Sequence, residues 1–157
     1  MGAAAAADGA AALEDAAAVV RVRACELSAA LSSCAFAPLL EDREDLVVEA
    51  ACFALGEVRA KSAVEALAQV AGSHENLLCR ESAVAALGAI GDPGGLPAVL
   101  AALDDRPQVR RRAVVALAAF DGPEVDAALK ACLGDRDWQV RQAAEDLLGV
   151  EPSSGEP

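Results

Sequence analysis

The sequence predicts an all-α fold, a right-handed α-solenoid of about four helical hairpins behind an N-terminal helix. Three observations predict it. First, a short pattern, Val-Arg-x-x-Ala, recurs with first positions at Val20, Val47, Cys79, Val109 and Val140, in steps of 27, 32, 30 and 31 residues. A period in this range belongs to stacked arrays, in which each unit buries its apolar face against its neighbours. Second, the apolar positions repeat at helical spacing. The fifth slot is Ala24, Ala51, Ala83, Ala113 and Ala144, and the eighth is Leu27, Ala54, Ala86, Ala116 and Leu147. The twelfth is Leu31, Val58, Ile90 and Phe120, and only the last copy departs from it, with Glu151. Slots one, five, eight and twelve share one helix face, and Leu55, Leu87, Leu117 and Leu148 at slot nine widen the stripe. Third, the composition favours helix. Ala, Leu, Glu and Arg are abundant, and no period-two alternation of β-branched residues is present.

Taken in order, residues 1–12 are Ala/Gly-rich and are expected to be disordered. Residues 13–151 form the repeat domain. Its first element is a lone helix near 13–31, covering one end of the stack. The next hairpin carries Pro38 within its first helix, which must be short or kinked. The second helix of each hairpin, here called B, carries the repeated pattern and falls near 45–58, 77–90, 107–120 and 138–149. The first, A, ends on an apolar residue and an acidic or polar turn: Leu40 before Glu41-Asp42, Leu103 before Asp104-Asp105, and Leu133 before Gly134-Asp135. Pro107 and Trp138 stand at first helical positions, and Asn76 and Asp137 stand where a side-chain oxygen caps free N–H groups. Gly91-Asp92-Pro93 and Asp121-Gly122-Pro123 end one hairpin and begin the next. Residues 152–157 are a polar tail, also expected to be disordered.

Bulk properties narrow the function. With 157 residues the chain is one folding unit, and although 55% of it is apolar, aromatics are only 3%. Alanine buries little area, so the core depends on close helix approach and a Leu/Val/Ile ladder. The net charge is −12, from 13 basic and 25 acidic residues, so no nucleic-acid partner is expected. Charge is uneven: residues 1–45 hold eight acids and three bases, while residues 93–121 hold three acids and four bases, Arg106, Arg110, Arg111 and Arg112. The Arg run reads as a solvated helix start with one structural Arg, or as a contact for an acidic partner. The five cysteines, Cys25, Cys34, Cys52, Cys79 and Cys132, form no CxxC pair and have no His at ligand spacing. They read as buried thiols in a reducing compartment rather than disulfides or a metal site. No stretch of twenty uninterrupted apolar residues exists and the N-terminus lacks a basic leader, so no membrane span is expected and the cytoplasm is the default. Met1-Gly2 does not open a myristoylation signal, because Ala6 stands where Ser or Thr is required.

The run Cys79-Arg80-Glu81-Ser82-Ala83-Val84-Ala85-Ala86-Leu87-Gly88, followed by Gly91-Asp92-Pro93, resembles the HEAT-like repeats of the phycobilisome-lyase type. The pattern covers Val109–Ala118 and Val140–Gly149, and Val47–Gly56 with Val48 in place of Arg. The resemblance spans roughly residues 20–150 and implies HEAT-like hairpins. It also implies a ladder in which the repeated Arg pairs with acidic A–B turns: Arg80, Arg110 and Arg141 with Asp42, Asp104 or Asp105, and Asp135. Val48 should interrupt that ladder. Arg21 matches the register but lacks a preceding acidic turn.

In such solenoids the B helices line the concave side. Slot three reads Glu49, Glu81, Arg111 and Gln142, and slot seven Phe53, Ala85, Val115 and Asp146. Slot six, Cys52, Val84, Val114 and Glu145, is taken as part of the same strip. An apolar strip rimmed by charge suits a protein or peptide partner, and the expected contact residues are Glu49, Phe53, Glu81, Val115, Arg111 and Gln142. Phe53 either anchors that partner or packs under the irregular first repeat. Trp138, the single Trp, is expected to pack back on the preceding turn, the alternative being an exposed recognition residue.

Catalytic chemistry is disfavoured. Deoxyhypusine hydroxylase-like relatives place His-Glu pairs at slots three and four, which here read Glu49-Ala50, Glu81-Ser82, Arg111-Arg112 and Gln142-Ala143. The only histidine, His74, lies in a linker. A bilin lyase-like role would need a tetrapyrrole pocket that no residue pattern marks. With one His no Ser-His-Asp or Cys-His arrangement has an orienting context. No cofactor and no metal are expected, and the chain reads as a non-catalytic scaffold or adaptor.

Overall fold

The computed structural model describes residues 11–27 and 35–150. Among them every regular element is helical. Helix α1 is Ala18–Leu27, α2 Asp45–Glu57, α3 Val64–Ser73, α4 Leu77–Ile90, α5 Leu96–Ala101, α6 Pro107–Leu117, α7 Pro123–Cys132 and α8 Trp138–Leu148. Helices α2, α4, α6 and α8 carry the repeated pattern and pack side by side in chain order. Helices α3, α5 and α7 form a second layer, each the first arm of a hairpin. The first arm of the first hairpin is reduced to a 3₁₀ turn, Ala37–Glu41, with Pro38 in its opening positions. Proline lacks the N–H that a longer α-helix there would need.

The N-terminal end differs from expectation. The helix anticipated from Leu13 is broken: residues 11–13, of which 11 and 12 were expected to be disordered, are helical, the chain then turns where Asp15 accepts the Ala17 N–H at 2.8 Å, and α1 starts at Ala18. Its expected extension from 28 to 31 lies outside the described residues, as do the tails 1–10 and 151–157.

The helix boundaries have local causes. Asn76 caps α4 by accepting the Leu78 N–H at 2.7 Å, and Asp137 caps α8 by accepting the Gln139 N–H at 2.9 Å. Pro107 and Pro123 open α6 and α7 where no N–H is needed. Gly91 ends α4 at φ 64°, in the left-handed region that favours glycine.

The stack is built on small residues. Ala51, Ala83, Ala113 and Ala144 are fully buried, as are Val47, Cys79, Val109 and Val140 at slot one. Val20, on the first of the described helices to carry the pattern, is 36% exposed. Glycine at slot ten lets successive B helices approach. A β-carbon added to Gly56 would lie 3.2 Å from the Ala86 Cα, and one added to Gly88 would lie 2.7 Å from the Ala116 Cβ. The α4–α6 crossing therefore has no room for a side chain at Gly88. Helix propensity alone would favour Gly88→Ala by about 1 kcal/mol, so a net loss isolates the packing term. We expect Gly88→Val to destabilise the protein by about 2–3 kcal/mol through overpacking. Urea unfolding checks this, and an unchanged midpoint would mean the helices are not in this close contact.

Candidate functional site

An arginine fork joins consecutive hairpins. Arg80 Nε and Nη2 donate to both carboxylate oxygens of Asp105 at 2.7 and 2.9 Å. Arg110 does the same to Asp135 at 2.9 and 2.7 Å. In each case Nη1 turns back to the carbonyls of its own A–B turn: Arg80 to His74 and Glu75, Arg110 to Asp105. One guanidinium thus ties its own turn to the next one, a task for a planar fork rather than a lysine ammonium.

Arg21 makes the same pair with Asp42, 2.8 Å to each oxygen, and the expectation that no acidic turn precedes it is corrected, since Asp15 stands in that turn and its Oδ1 accepts the Ala17 N–H. The turn carbonyls of Asp15 and Ala16 take its Nη1. Asp104 is exposed, and its neighbour Asp105 is the residue that meets Arg80. Arg141 reaches the Asp135 carbonyl at 2.8 Å and meets no carboxylate among the described residues.

Each ladder aspartate also folds its own turn. Asp42 Oδ1 accepts the Glu44 N–H, Asp135 Oδ1 the Asp137 N–H, and Asp105 Oδ1 the Arg106 N–H. At the turn before α4 the aspartate is replaced by His74, whose Nδ1 accepts the Asn76 N–H at 3.1 Å in the same way. Opposite it, α2 has Val48, fully buried, where other B helices have Arg. The pair is exchanged at both ends, so no buried charge is left alone. The sequence signal is legible afterwards: Asp42-Arg43, Asp105-Arg106 and Asp135-Arg136 repeat, and His74-Glu75 breaks the series.

His74 also joins a small knot. Its Nε2 lies 3.9 Å from Asp45 Oδ1, Asn76 Nδ2 donates to Asp45 Oδ2 at 2.6 Å, and the Cys79 thiol lies 3.4 Å from the Asp45 carbonyl. Asp45, His74 and Cys79 place ligand-type atoms within 4.8 Å of one another. The Nδ1 acceptor role puts the imidazole hydrogen on Nε2, and burial, aided by Asp45 and Glu49, pushes the Cys79 thiol up to about 12. The knot fastens the start of α2 to the start of α4.

The other described thiols are equally withdrawn. Cys25, Cys52 and Cys132 are buried, and burial pushes Cys25 up to about 11 and Cys52 to about 12.

The exposed face of the B helices holds the candidate binding residues. Phe53 is 62% exposed, and Leu46, Leu78 and Val115 are exposed beside it along the stack. Phe53 therefore does not pack under the first repeat. Trp138, expected to pack back on the preceding turn, is 64% exposed instead, at the first position of the last helix. Slot six is a correction of the opposite kind. Cys52, Val84 and Val114 are fully buried, because a B helix here is flanked on both sides and backed by A helices. The open strip is left to slots three, four, seven and their neighbours.

Two furrows cross this face. One, of about 480 Å³ between α2 and α4, is lined by Glu49, Phe53, Leu78, Glu81, Ala85 and Arg112 among others. The second, of about 360 Å³ between α6 and α8, includes Arg111, Val115, Trp138, Gln142 and Asp146. Of the six expected contact residues, Glu49, Phe53 and Glu81 line the first, and Arg111, Val115 and Gln142 the second. Leu46, Leu78, Trp138 and Arg112 were not among the expected contacts. Leu46 and Leu78 stand just before slot one, a position that sequence reasoning assigned to no face. Arg112 donates to Glu81 at 3.0 Å and closes one end of the first furrow.

Residues 33–108 and 102–149 match the family model for HEAT repeats. The chain belongs to the HEAT-repeat family. No curated protein matches it in sequence. Among solved structures it is similar to a chain of the complex of CpcE and CpcF of phycocyanin lyase from Nostoc sp. PCC7120. That likeness has a TM-score of 0.75 and 18% identity, and covers 92% of this chain and 98% of that one. It is also similar to computationally designed armadillo repeat proteins for modular peptide recognition, with TM-score 0.68 and 19% identity over 94% of this chain and 82% of that one. A second designed armadillo repeat protein gives 0.63 and 20% over the same shares. These likenesses establish the fold of this HEAT-repeat chain, a right-handed α-solenoid. No helix among its described residues is long and apolar enough to cross a membrane.

Two outcomes follow from the forks. Arg110→Lys should cost about 1–2 kcal/mol, because an ammonium cannot hold Asp135 at two points and the Asp105 carbonyl as well. Denaturant midpoints measure it, and a neutral result would remove the fork from the stabilising interactions. The second concerns acid. The Arg80 and Arg110 forks hold the Asp105 and Asp135 carboxyls below the usual range, against the opposing effect of burial. For Asp42 burial is the largest single influence and pushes upward. Arg21, the Glu44 N–H and Arg43 together outweigh it, so this carboxyl is also low. Groups depressed in the folded state stabilise it above their unfolded pKa of about 4 and lose that contribution as pH falls below it. Thermal stability should therefore be level near neutrality and drop below about pH 4, and the drop should be shallower in Asp135→Asn. Melting curves from pH 7 to pH 2.5 in both proteins would show it.

Proposed function

We propose that this HEAT-repeat protein is a non-catalytic scaffold or adaptor that grips a protein or peptide partner on the concave face of its B helices. The observation that carries the reading is the row of exposed large apolar side chains, Leu46, Phe53, Leu78, Val115 and Trp138, on helices whose other sides are buried. Such a row, rimmed by Glu49, Glu81 and Arg111, resembles the apolar centre and charged margin of an interface. Phe53 and Trp138 are its natural anchors, since aromatics dominate interface energetics. The fold likeness to designed repeats for peptide recognition supports the same use of this face. A cytoplasmic location and the absence of any nucleic-acid partner or cofactor belong to this reading.

A second reading is favoured by one observation, the match over nearly the whole length of a chain in the phycocyanin lyase complex. On that reading the protein is one half of a heteromeric bilin lyase-like enzyme, and the same face meets a tetrapyrrole-bearing partner. A visible spectrum of the protein purified from its native source separates the two, because a bound tetrapyrrole absorbs strongly and an apolar protein partner does not.

The scaffold reading is tested by affinity capture with wild type and with the double variant Phe53→Asp, Arg111→Glu. Both positions are exposed, so the variant should stay folded, as circular dichroism would confirm. The expected result is loss of the captured partner, with a weakening of about a hundredfold or more. Retention of the same partners by a folded double variant would contradict it.

A further inference from the structure

The two furrows differ in charge, and the first has an imbalance that the protein itself does not settle. Glu49, Glu57 and Glu81 all line it. Arg112 answers Glu81, with Nη2 at 3.0 Å. Among the described residues neither Glu49 nor Glu57 has an ion-pair partner. Glu49 is half-buried, and burial together with the charges of Asp45 and Glu81 holds its carboxyl above the usual range. The floor between these acids is apolar and small: Gly56, Ala85, Ala86 and Ala89, with Phe53 and Leu78 standing at the edges. A cavity near 480 Å³ is the size of a side-chain or small-ligand site, too wide for a packing defect.

We propose, building on the scaffold reading above, that the α2–α4 furrow seats an extended segment of a partner protein carrying a Lys or Arg beside an aliphatic residue. The cation sits against Glu49, with Glu57 farther along the same wall adding to the negative field, and the aliphatic neighbour lies against Phe53 and Leu78. Glu81 is already neutralised by Arg112, which marks the end of the cationic subsite and faces the second furrow. A polyanion is repelled by this set of carboxylates. Residues 1–10, 28–34 and 151–157 contain no Lys or Arg, so the Lys or Arg of this subsite comes from another molecule. A free metal ion would leave the apolar edges uncovered, whereas a long cationic side chain covers them with its methylenes.

Fluorescence anisotropy with three labelled hexapeptides of the form Gly-Leu-X-Leu-X-Gly tests the proposal, with X as Arg, Ser or Glu. The Arg peptide should bind at least about tenfold more tightly than the other two, and binding should weaken with added salt. The double variant Glu49→Gln, Glu57→Gln should lose about tenfold for the Arg peptide alone. A control, Glu124→Gln with Asp126→Asn on α7, removes the same charge from another exposed helix and should change affinity by less than about twofold. In NMR the Glu49 carboxyl should titrate lower once the Arg peptide is bound. Equal binding of Arg and Ser peptides, no binding of any, or an equal loss in the α7 control would each overturn the cationic subsite. If that happens while Phe53→Asp, Arg111→Glu still abolishes partner capture, the face remains a docking surface and only its preference for a cation is wrong.

Discussion

The constraint on which everything else rests is the short distance between successive B helices. Ala at slot five, Ala at slot eight and Gly at slot ten allow it, and the Gly88–Ala116 crossing shows how little space remains. A chain this poor in aromatic residues cannot build a core from large side chains. It gains stability by bringing backbones close, so that many small contacts add up. The Leu55, Leu87 and Leu117 row then fills the space between the layers, fully buried in each copy.

Close stacking fixes the turns in a row along one edge, and the arginine forks use that alignment. Each guanidinium holds the carbonyls of its own turn and the aspartate of the next, while the aspartate bends its own turn. The ladder is therefore a property of neighbouring hairpins and cannot form in one alone. Where Val48 replaces Arg, His74 replaces Asp. The hydrogen bond that shapes the turn is retained, and the charges are removed from both ends together. The α2–α4 junction is thus less ionic than its neighbours along this edge. On the open face α2 carries two carboxylates, Glu49 and Glu57, without described counter-ions, next to exposed Phe53 and Leu78. Charge is concentrated where it is solvent-accessible and withdrawn where it would be buried.

Much of the fold was legible because the period is a direct record of the packing. Alanine at slot five is invariant across the copies, and those from Ala51 to Ala144 are fully buried. Pro38 announced the weak first arm. The faces were less legible. Assigning a B helix one buried stripe put Cys52, Val84 and Val114 on the open side. A helix in a double-layered array has neighbours on both flanks and behind, so well over half its circumference is covered. Arg21 was passed over because its partner, Asp42, lies in the following turn, and the repeated Asp-Arg dipeptide is visible only once that direction is known. Trp138 could not be placed by sequence, because its exposure depends on standing at the start of the last helix in the stack.

A distance measurement tests the stack directly. Nitroxides placed at the exposed slot-seven positions 53 and 115, and in a second sample at 53 and 146, report two and three helix-to-helix steps. With about 8–10 Å between packed helices, the separations should be roughly 20 Å and 25–30 Å, the second clearly longer than the first. Equal separations, or a shorter one for 53 and 146, would mean that the hairpins close around a common centre, and the side-by-side arrangement would be refuted.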